Sequence, residues 1–307
     1  MASEWDFKRN DACIRNIASW DVTSPKNQPY LLQVSWPLEW PFLEEKDSMG
    51  SKANVLYLVD GNAMFLSATE IVRRRRLRKP EELATIIIGI SYPLTNSVYS
   101  PRRNFDLTPP CQSYNLPNGA QENTLPQEYG GADIFLDFIT NTIHSYVFSI
   151  LFPWVSVQQT GLFGHSYGAL FALHTLYTAP ASFDAYLAAS PSIWWNDNFI
   201  LQEESQFYNS TTPSHRPAIW MAYGGLEEAS QSEIDQPDEK LDGRARLRKE
   251  RRMGRNCEEM AHRLKESGKV GGVRMRRYED EDHISVVAGA LGGGISFFLD
   301  GNEAGRL

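Results

Sequence analysis

A serine stands between two glycines in the stretch G-H-S-Y-G, which runs from Gly164 through Ser166 to Gly168. Apolar residues in the preceding WVSVQQTGLF predict a buried strand, and leucines at helical spacing in the following ALFALHTLY predict a helix. A strand that turns directly into a helix holds the serine on a strained turn, with its hydroxyl exposed above the helix N-terminus. Ser166 is therefore predicted to be a nucleophile. The alternative is an ordinary serine at the start of a helix that contains glycine.

A serine hydroxyl needs a base that removes its proton, and the base needs a carboxylate that orients it. Of the six histidines, His283 alone follows the last predicted strand, after the acidic loop in MRRYEDEDHISVV. This position predicts that His283 is the base for Ser166. The alternative is a surface histidine paired with Glu281 or Asp282.

The carboxylate of such a triad is less narrowly defined by the sequence. Glu227 and Glu228 follow the predicted strand in AIWMAYGG, and Glu227 is favoured because it lies three residues beyond Gly224, a natural turn length. Asp280 and Asp282 stay open as orienting groups. A solvated loop carboxylate is the alternative interpretation of Glu227.

Ester chemistry also needs backbone N–H groups that stabilise the developing oxyanion. One is expected from Tyr167, the residue after the nucleophile, and the other from the loop after an earlier strand. The turn in VDGNAMF follows the predicted strand NVLYLVD, so Asn62, with the neighbouring backbone of Gly61, is the predicted second donor. A simple structural turn is the alternative.

The elements around these residues alternate between strand and helix. Such alternation predicts an α/β fold with a mainly parallel sheet covered by helices on both faces. Besides the elements around Ser166, strands are predicted at 30–36, 54–60, 84–93, 218–225 and 272–280, with a short one in 183–195, and helices at 61–74, 131–148, 258–268 and 284–299. We expect a single domain over 1–307, with a charged surface insertion at about 228–256 that is acidic first and basic afterwards.

The amino-acid composition of the chain argues against some classes of function. The chain has 307 residues, 42% of them hydrophobic and 22% charged, which is typical of a soluble globular protein. A formal net charge of −8 argues against nucleic acid as the main partner. The basic run RRRRLRK at 73–79 is interpreted as a solvated helix face, with attraction of an anionic ligand as the alternative.

Cysteine usage and the N-terminal residues indicate a compartment. Cys13, Cys111 and Cys257 are far apart, odd in number and match no metal-ligand spacing, which suits a reducing environment. The N-terminal residues are charged where a signal peptide would be apolar, and no apolar run suggests a membrane span. We therefore expect a cytoplasmic protein without a membrane partner. Its oligomeric state is not indicated.

Several stretches together resemble the esterase D / enterochelin esterase family of α/β-hydrolases, and most closely its siderophore-esterase branch. They span 54–287 in the family's order and read YLVDGNAMF, GISYP, VYSPRRNFDLTP, GGADIFLDFI, LFGHSYGALFAL, AASPSIWW, YGGLEE and DHISVV. The opening SWPLEWP, with VLYLVDGNAMF, looks like that of fungal esterases that hydrolyse triacetylfusarinine C. The resemblance implies an α/β-hydrolase fold, with Ser166 as nucleophile, His283 as base and Glu227 as acid. It also implies hydrolysis of iron-chelating esters inside the cell, to release iron.

Residues near the predicted site suggest contacts with a bulky substrate. Trp194 and Trp195 follow the strand after the nucleophile helix and could pack against an acyl chain or a chelator ring. Arg102 and Arg103, in the long loop after GISYP, could bind a carboxylate or an anionic chelate, and Tyr92 is a weaker candidate for the same rim. Core or rim packing is the alternative for the tryptophans, and surface solvation is the alternative for the arginines.

The motifs and the resemblance to siderophore esterases predict a serine esterase that cleaves a siderophore ester, with triacetylfusarinine C as the favoured type. No cofactor is predicted, and any iron would arrive with the substrate. A general carboxylesterase or an S-formylglutathione hydrolase-like thioesterase is the alternative enzyme. The alternative of another class is a non-catalytic ligand-binding protein on a hydrolase scaffold.

Overall fold

The computed structural model describes residues 14–24, 28–40, 50–115, 128–211 and 215–301. Within these ranges the strands form one 8-stranded sheet. Its members are β1 (Ile17–Thr23), β2 (Pro29–Ser35), β3 (Ser51–Val59), β4 (Ala84–Ser91), β5 (Val155–His165), β6 (Ala185–Ala189), β7 (Ala218–Gly224) and β8 (Gly272–Tyr278). They lie in the order β1-β2-β4-β3-β5-β6-β7-β8.

Strand direction divides the sheet into two parts. β1 pairs with β2, and β2 with β4, in antiparallel register, whereas every pair from β4 through β3 to β8 is parallel. The central strands are apolar on both faces, because helices cover both sides of a parallel sheet. In β3, Val55 and Tyr57 enter one hydrophobic core, and Leu56 and Leu58 enter the other.

The helices lie on both faces of the sheet, as the sequence predicts. They are α1 (Gly61–Arg78), α2 (Arg103–Asp106), α3 (Ala132–Asp137), α4 (His144–Tyr146), α5 (Tyr167–Thr178), α6 (Trp195–Asn198), α7 (Ile200–Asn209), α8 (Gln231–Ile234), α9 (Gly243–Arg251), α10 (Met253–Glu266) and α11 (Val286–Asp300). α1 and α11 pack together on one face, while α3, α5, α7 and α10 cover the other.

The helical run 132–151 joins α3 and α4 through two π-helical segments, Phe138–Ile143 and Val147–Leu151. By length and composition alone it is long and apolar enough to cross a membrane, which corrects the prediction that no apolar run suggests a membrane span. Its inner side chains, such as Phe135 and Ile139, are buried in the core, and its outer face carries Asp133 and Asp137. This division into two faces is typical of a surface helix of a globular domain.

The basic run 73–79 is only partly solvated, because several of its side chains form ion pairs with other segments. Arg75 binds Glu82 at 2.6 Å and also binds Asp300. Lys79 binds the same Asp300 carboxylate at 2.7 Å. The run therefore ties the end of α1 to the end of α11, which corrects the interpretation of a simply solvated helix face.

The charged segment 228–256 contains α8, a 3-10 turn at Asp238–Lys240, α9 and the start of α10. Its acidic first half pairs with its basic second half: Glu233 binds Arg248, and Asp238 binds Lys249 at 2.9 Å. The charge order in the sequence thus holds α8 and α9 against each other.

Two features considered in the sequence lie wholly or partly outside the described residues. Cys13 is not among them, whereas Cys111 and Cys257 are free thiols. The long polar loop after β4 is described as far as residue 115 and again from residue 128.

Candidate active site

Ser166 lies on the sharp turn between β5 and α5. Its backbone has φ 60° and ψ −115°, a conformation that L-residues adopt only under strain. The turn is possible because strand and helix touch: a Cβ on Gly164 would lie 2.0 Å from the carbonyl oxygen of Gly168. This is the strand–turn–helix context that the G-H-S-Y-G spacing predicts.

His283 approaches Ser166 from the loop between β8 and α11. Its Nε2 lies 3.0 Å from the Ser166 Oγ, within hydrogen-bond distance. The loop is held by the Asp282 carboxylate, which accepts hydrogen bonds from the backbone N–H groups of Ile284 and Ser285 at 2.8 and 2.9 Å. The imidazole is therefore held at the nucleophile by a structured turn.

Glu227 completes the chain of contacts, since its Oε2 lies 2.6 Å from the Nδ1 of His283. The carboxylate side chain is only 2% exposed. Its other oxygen accepts hydrogen bonds from the Ser190 hydroxyl at 2.6 Å and from the Gly224 N–H at 2.7 Å. Both oxygens are thus bound in directions that fix the carboxylate plane.

The alternative carboxylates point elsewhere. Glu228 accepts a hydrogen bond from the backbone N–H of Arg255 at 2.9 Å. Asp282 is occupied by the backbone of its own loop. Of the acidic residues that the sequence left open, Glu227 is the one that contacts His283.

The predicted oxyanion donors lie at the first turns of two helices. Tyr167 begins α5 and Gly61 begins α1, and the first N–H groups of a helix have no partner within it. A Cβ on Gly61 would lie 2.2 Å from the Ser91 Oγ, so only glycine lets this turn approach β4. The Asn62 side chain bonds to both backbone groups of Tyr92, at 2.8 and 2.9 Å, which anchors the turn.

A buried ion pair supports the same turn. Asp60, with a left-handed φ of 54°, binds Arg103 through two hydrogen bonds of 3.0 and 2.8 Å to its Nε and Nη2. The guanidinium lies 5.2 Å from the ring centroid of Tyr99 and 5.3 Å from that of Tyr167. Arg103 therefore binds a carboxylate of the protein itself, which corrects its predicted role as a substrate contact.

Two further predicted substrate contacts are wrong for packing reasons, and a third has partners within the protein. Trp195 is fully buried and Tyr92 nearly so, so both belong to the core. Arg102 lies 4.2 Å over the ring of Tyr30, and its Nε is 3.5 Å from the Asp106 carboxylate. Arg102 therefore has partners within the protein, and its role as a substrate contact stays a prediction.

Trp194 is the predicted aromatic residue that does reach the site. Its ring centroid lies 6.3 Å from that of Tyr167, and the Arg251 guanidinium lies 4.3 Å above it. Arg251 was not predicted from the sequence, and neither was Ser192, whose Oγ is 3.3 Å from that of Ser166. The sequence signal for Ser192 is its place in the stretch SPSIWW, of which only the two tryptophans were predicted to contact a substrate.

A second histidine lies beside the triad. The ring centroids of His165 and His283 are 4.6 Å apart. Burial, followed by the charge of His283, lowers the pKa of His165 to about 3. His165 therefore stays neutral near pH 7 and brings no positive charge next to His283.

Comparison with known families decides the class of the protein. A family model described as "Putative esterase" matches residues 27–263. The chain belongs to this esterase family. The match covers the nucleophile turn and the Glu227 loop and ends before His283.

Individual esterases are similar to the chain over nearly their whole length. A siderophore enterobactin esterase of Emericella nidulans is 47% identical over 298 residues, 96% of this chain and 98% of the relative. A siderophore triacetylfusarinine C esterase of Aspergillus fumigatus is 38% identical over 93% of this chain and 94% of its own. The structure of the siderophore hydrolase EstA from Aspergillus nidulans superposes with a TM-score of 0.85 at 43% identity, covering 97% and 99% of the two chains. These likenesses confirm the predicted α/β-hydrolase fold and the resemblance to siderophore esterases.

Proposed function

We propose that this protein is a serine esterase that hydrolyses the ester bonds of a siderophore and so releases iron inside the cell. The observation that carries the proposal is the continuous contact from Ser166 through His283 to Glu227, with distances of 3.0 and 2.6 Å. The names of its esterase relatives supply the substrate class. A cytoplasmic location is part of the proposal, and cell fractionation tests it.

In the first step, the Ser166 hydroxyl attacks the ester carbonyl while His283 Nε2 takes its proton. Glu227 accepts a hydrogen bond from His283 Nδ1–H, so it selects the tautomer with a free Nε2 and stabilises the imidazolium that forms. The carbonyl oxygen becomes an oxyanion, which the N–H of Tyr167 and the Gly61/Asn62 turn would hold.

In the second step, the tetrahedral intermediate collapses and the C–O bond to the alcohol breaks. His283 donates its proton to the departing alkoxide, which leaves an acyl group on Ser166. Water then attacks this acyl-enzyme with His283 again as base, releasing a carboxylic acid and restoring the serine. The neutral His165 does not compete for the proton on this path.

Two substrates are candidates. The sequence motifs favour a triacetylfusarinine C-type ester, and a relative that is 38% identical acts on triacetylfusarinine C by its name. A relative that is 47% identical is named for enterobactin, which favours enterobactin as the second candidate. Both belong to the same reaction class, ester hydrolysis of an iron chelator.

The proposal is tested by hydrolysis of ferric triacetylfusarinine C, ferric enterobactin and p-nitrophenyl acetate, with product analysis by chromatography. Ser166→Ala should lose on the order of 10⁴ to 10⁶ in kcat. Ser149→Ala, at an exposed serine in the run 132–151, is the matched control and should keep wild-type rates. Cleavage of the small ester alone would leave a general carboxylesterase, and full activity of Ser166→Ala would refute the nucleophile.

A further inference from the structure

A cleft opens beside the catalytic histidine, and the residues that line it suggest what it binds. It has a volume of about 310 Å³ and is bounded by Glu227 and His283 on one side and by α9 and Met253 on the other. Leu226, Leu247 and Ile284 give its rim an apolar surface, and each of them is exposed. Solvent-exposed apolar residues around a concave site are typical of a ligand-binding cleft.

The wall formed by α9 carries arginines. Arg244, Arg248 and Arg251 all line the cleft, because their spacing of four and three residues puts them on one face of the helix. Arg248 is paired with Glu233. Arg244 is exposed. Asp282 also lines the cleft, but its carboxylate accepts hydrogen bonds from the backbone of its own loop.

Arg251 differs from Arg75 and Arg103, which are also half-buried. Its Nε is buried and has no hydrogen-bond partner, and no carboxylate in the described part of the chain lies within ion-pair distance. By contrast, Arg103 pairs with Asp60 and Arg75 with Glu82. Burial lowers the pKa of the Arg251 guanidinium from its usual value. An arginine nevertheless stays protonated at neutral pH. A desolvated cation without a counter-ion costs free energy, which an anionic ligand would offset.

Arg251 is also connected to the nucleophile turn. Its guanidinium stacks on Trp194, and Trp194 packs on Tyr167, the residue that follows Ser166. An anion bound at Arg251 would therefore lie next to the reacting ester.

We propose that Arg251, assisted by Arg244, forms an anion subsite that binds the negatively charged chelate of a siderophore ester while the ester reaches Ser166. This inference rests on the proposed function and narrows it. A ferric tris-catecholate is an anion and a ferric tris-hydroxamate is neutral, so the subsite selects catecholate-type substrates. The apolar rim contacts the aromatic rings of the same ligand.

Binding of ferric complexes without an ester tests the subsite independently of catalysis. Ferric tris-catecholate and neutral ferric tris-acetohydroxamate are titrated against the protein, with quenching of tryptophan fluorescence as the readout. The wild type should bind the anionic complex more tightly. Arg251→Gln should weaken that binding about tenfold to a hundredfold, the range for a lost charge-assisted hydrogen bond.

Arg246→Gln is the matched control, because Arg246 lies on the same helix but bonds to the backbone oxygen of Asp238, away from the cleft. It should bind like the wild type. Arg251→Lys keeps the charge without the planar stacking, so its affinity for the ferric tris-catecholate should fall between those of the wild type and Arg251→Gln. Equal affinity of Arg251→Gln and wild type, or an equal loss in Arg246→Gln, would overturn the subsite.

Kinetics separate this inference from the proposed function. The ratio of kcat/KM for ferric enterobactin to that for p-nitrophenyl acetate should fall about tenfold or more in Arg251→Gln and stay constant in Arg246→Gln. If the chelate binds through Arg251 but no siderophore ester is cleaved, the subsite stands and the proposed function fails. If esters are cleaved with an unchanged ratio in Arg251→Gln, the function stands and the subsite fails.

Discussion

Replacing His174 by glutamine should remove a pH-dependent part of the free energy of unfolding. His174 lies on α5 and is almost completely buried between two carboxylates, one on each side of the imidazole. Its Nδ1 is 2.9 Å from Glu203 of α7, and its Nε2 is 2.9 Å from Asp133 of α3. Burial lowers the pKa, but the hydrogen bonds and charges of Asp133 and Glu203 outweigh it and raise the pKa to about 9.

The magnitude follows from the shift in pKa. The pKa of His174 rises from its usual value of 6.5 to about 9, and at about 1.4 kcal/mol per pKa unit the protonated form contributes about 3 kcal/mol to stability. Because the folded-state pKa is raised, this stability is fully present below about pH 6.5 and is lost as the pH rises through 9. Asp133 is exposed to solvent, which screens its charge, so 3 kcal/mol is an upper limit for the contribution of protonated His174 to stability.

Urea unfolding, followed by circular dichroism at a series of pH values between about 6 and 10, measures the effect. The wild type should lose up to about 3 kcal/mol across this range by a step that His174→Gln lacks. His262→Gln, at an exposed histidine of α10, is the control and should keep the step. A wild-type profile that stays parallel to that of His174→Gln would refute the reasoning.

The remaining predictions concern the site and its turn. Glu227→Gln should lower kcat about 10⁴-fold with little change in KM in steady-state ester hydrolysis, because the amide favours the wrong tautomer of His283; a loss below tenfold would contradict the triad. Ser190→Ala removes one hydrogen bond to Glu227 and should lower kcat by about tenfold, with the urea midpoint as a control for folding. Gly164→Ala should destabilise the fold by about 3 kcal/mol or more in thermal unfolding, because its Cβ would overlap the backbone of Gly168. An unchanged Tm would contradict the contact between strand and helix.

The contacts between Ser166, His283 and Glu227 were predictable because all three residues lie just after strand ends. Ser166, Glu227 and His283 each follow a parallel strand, and parallel strands end at the same edge of the sheet. The strands themselves carry long apolar runs, which sequence patterns detect well. Their observed bounds differ from the predicted ones by a few residues at each end, as at β2, Pro29–Ser35, which was predicted at 30–36.

The features of the site that the sequence did not reveal depend on the directions in which side chains point. Neighbours such as Trp194 and Trp195 have the same chemistry, yet one faces the site and the other the core. Arg251 stands in a run of basic residues, where only the helix phase and the missing carboxylate distinguish it. β1 was missed because it is an edge strand whose seven residues are all half-buried or exposed, so its apolar side chains form no continuous apolar run.

The ion pairs between α9 and the acidic residues before it have a consequence for how related esterases diversify. Glu233–Arg248 and Asp238–Lys249 close the segment on itself, while the reacting groups come from strand ends elsewhere. Under the role proposed for Arg251, substitutions on α9 would change which chelators bind while the residues at the strand ends stay the same. Among related esterases that encounter different siderophores, we expect sequence changes in α9 to accompany changes in substrate specificity.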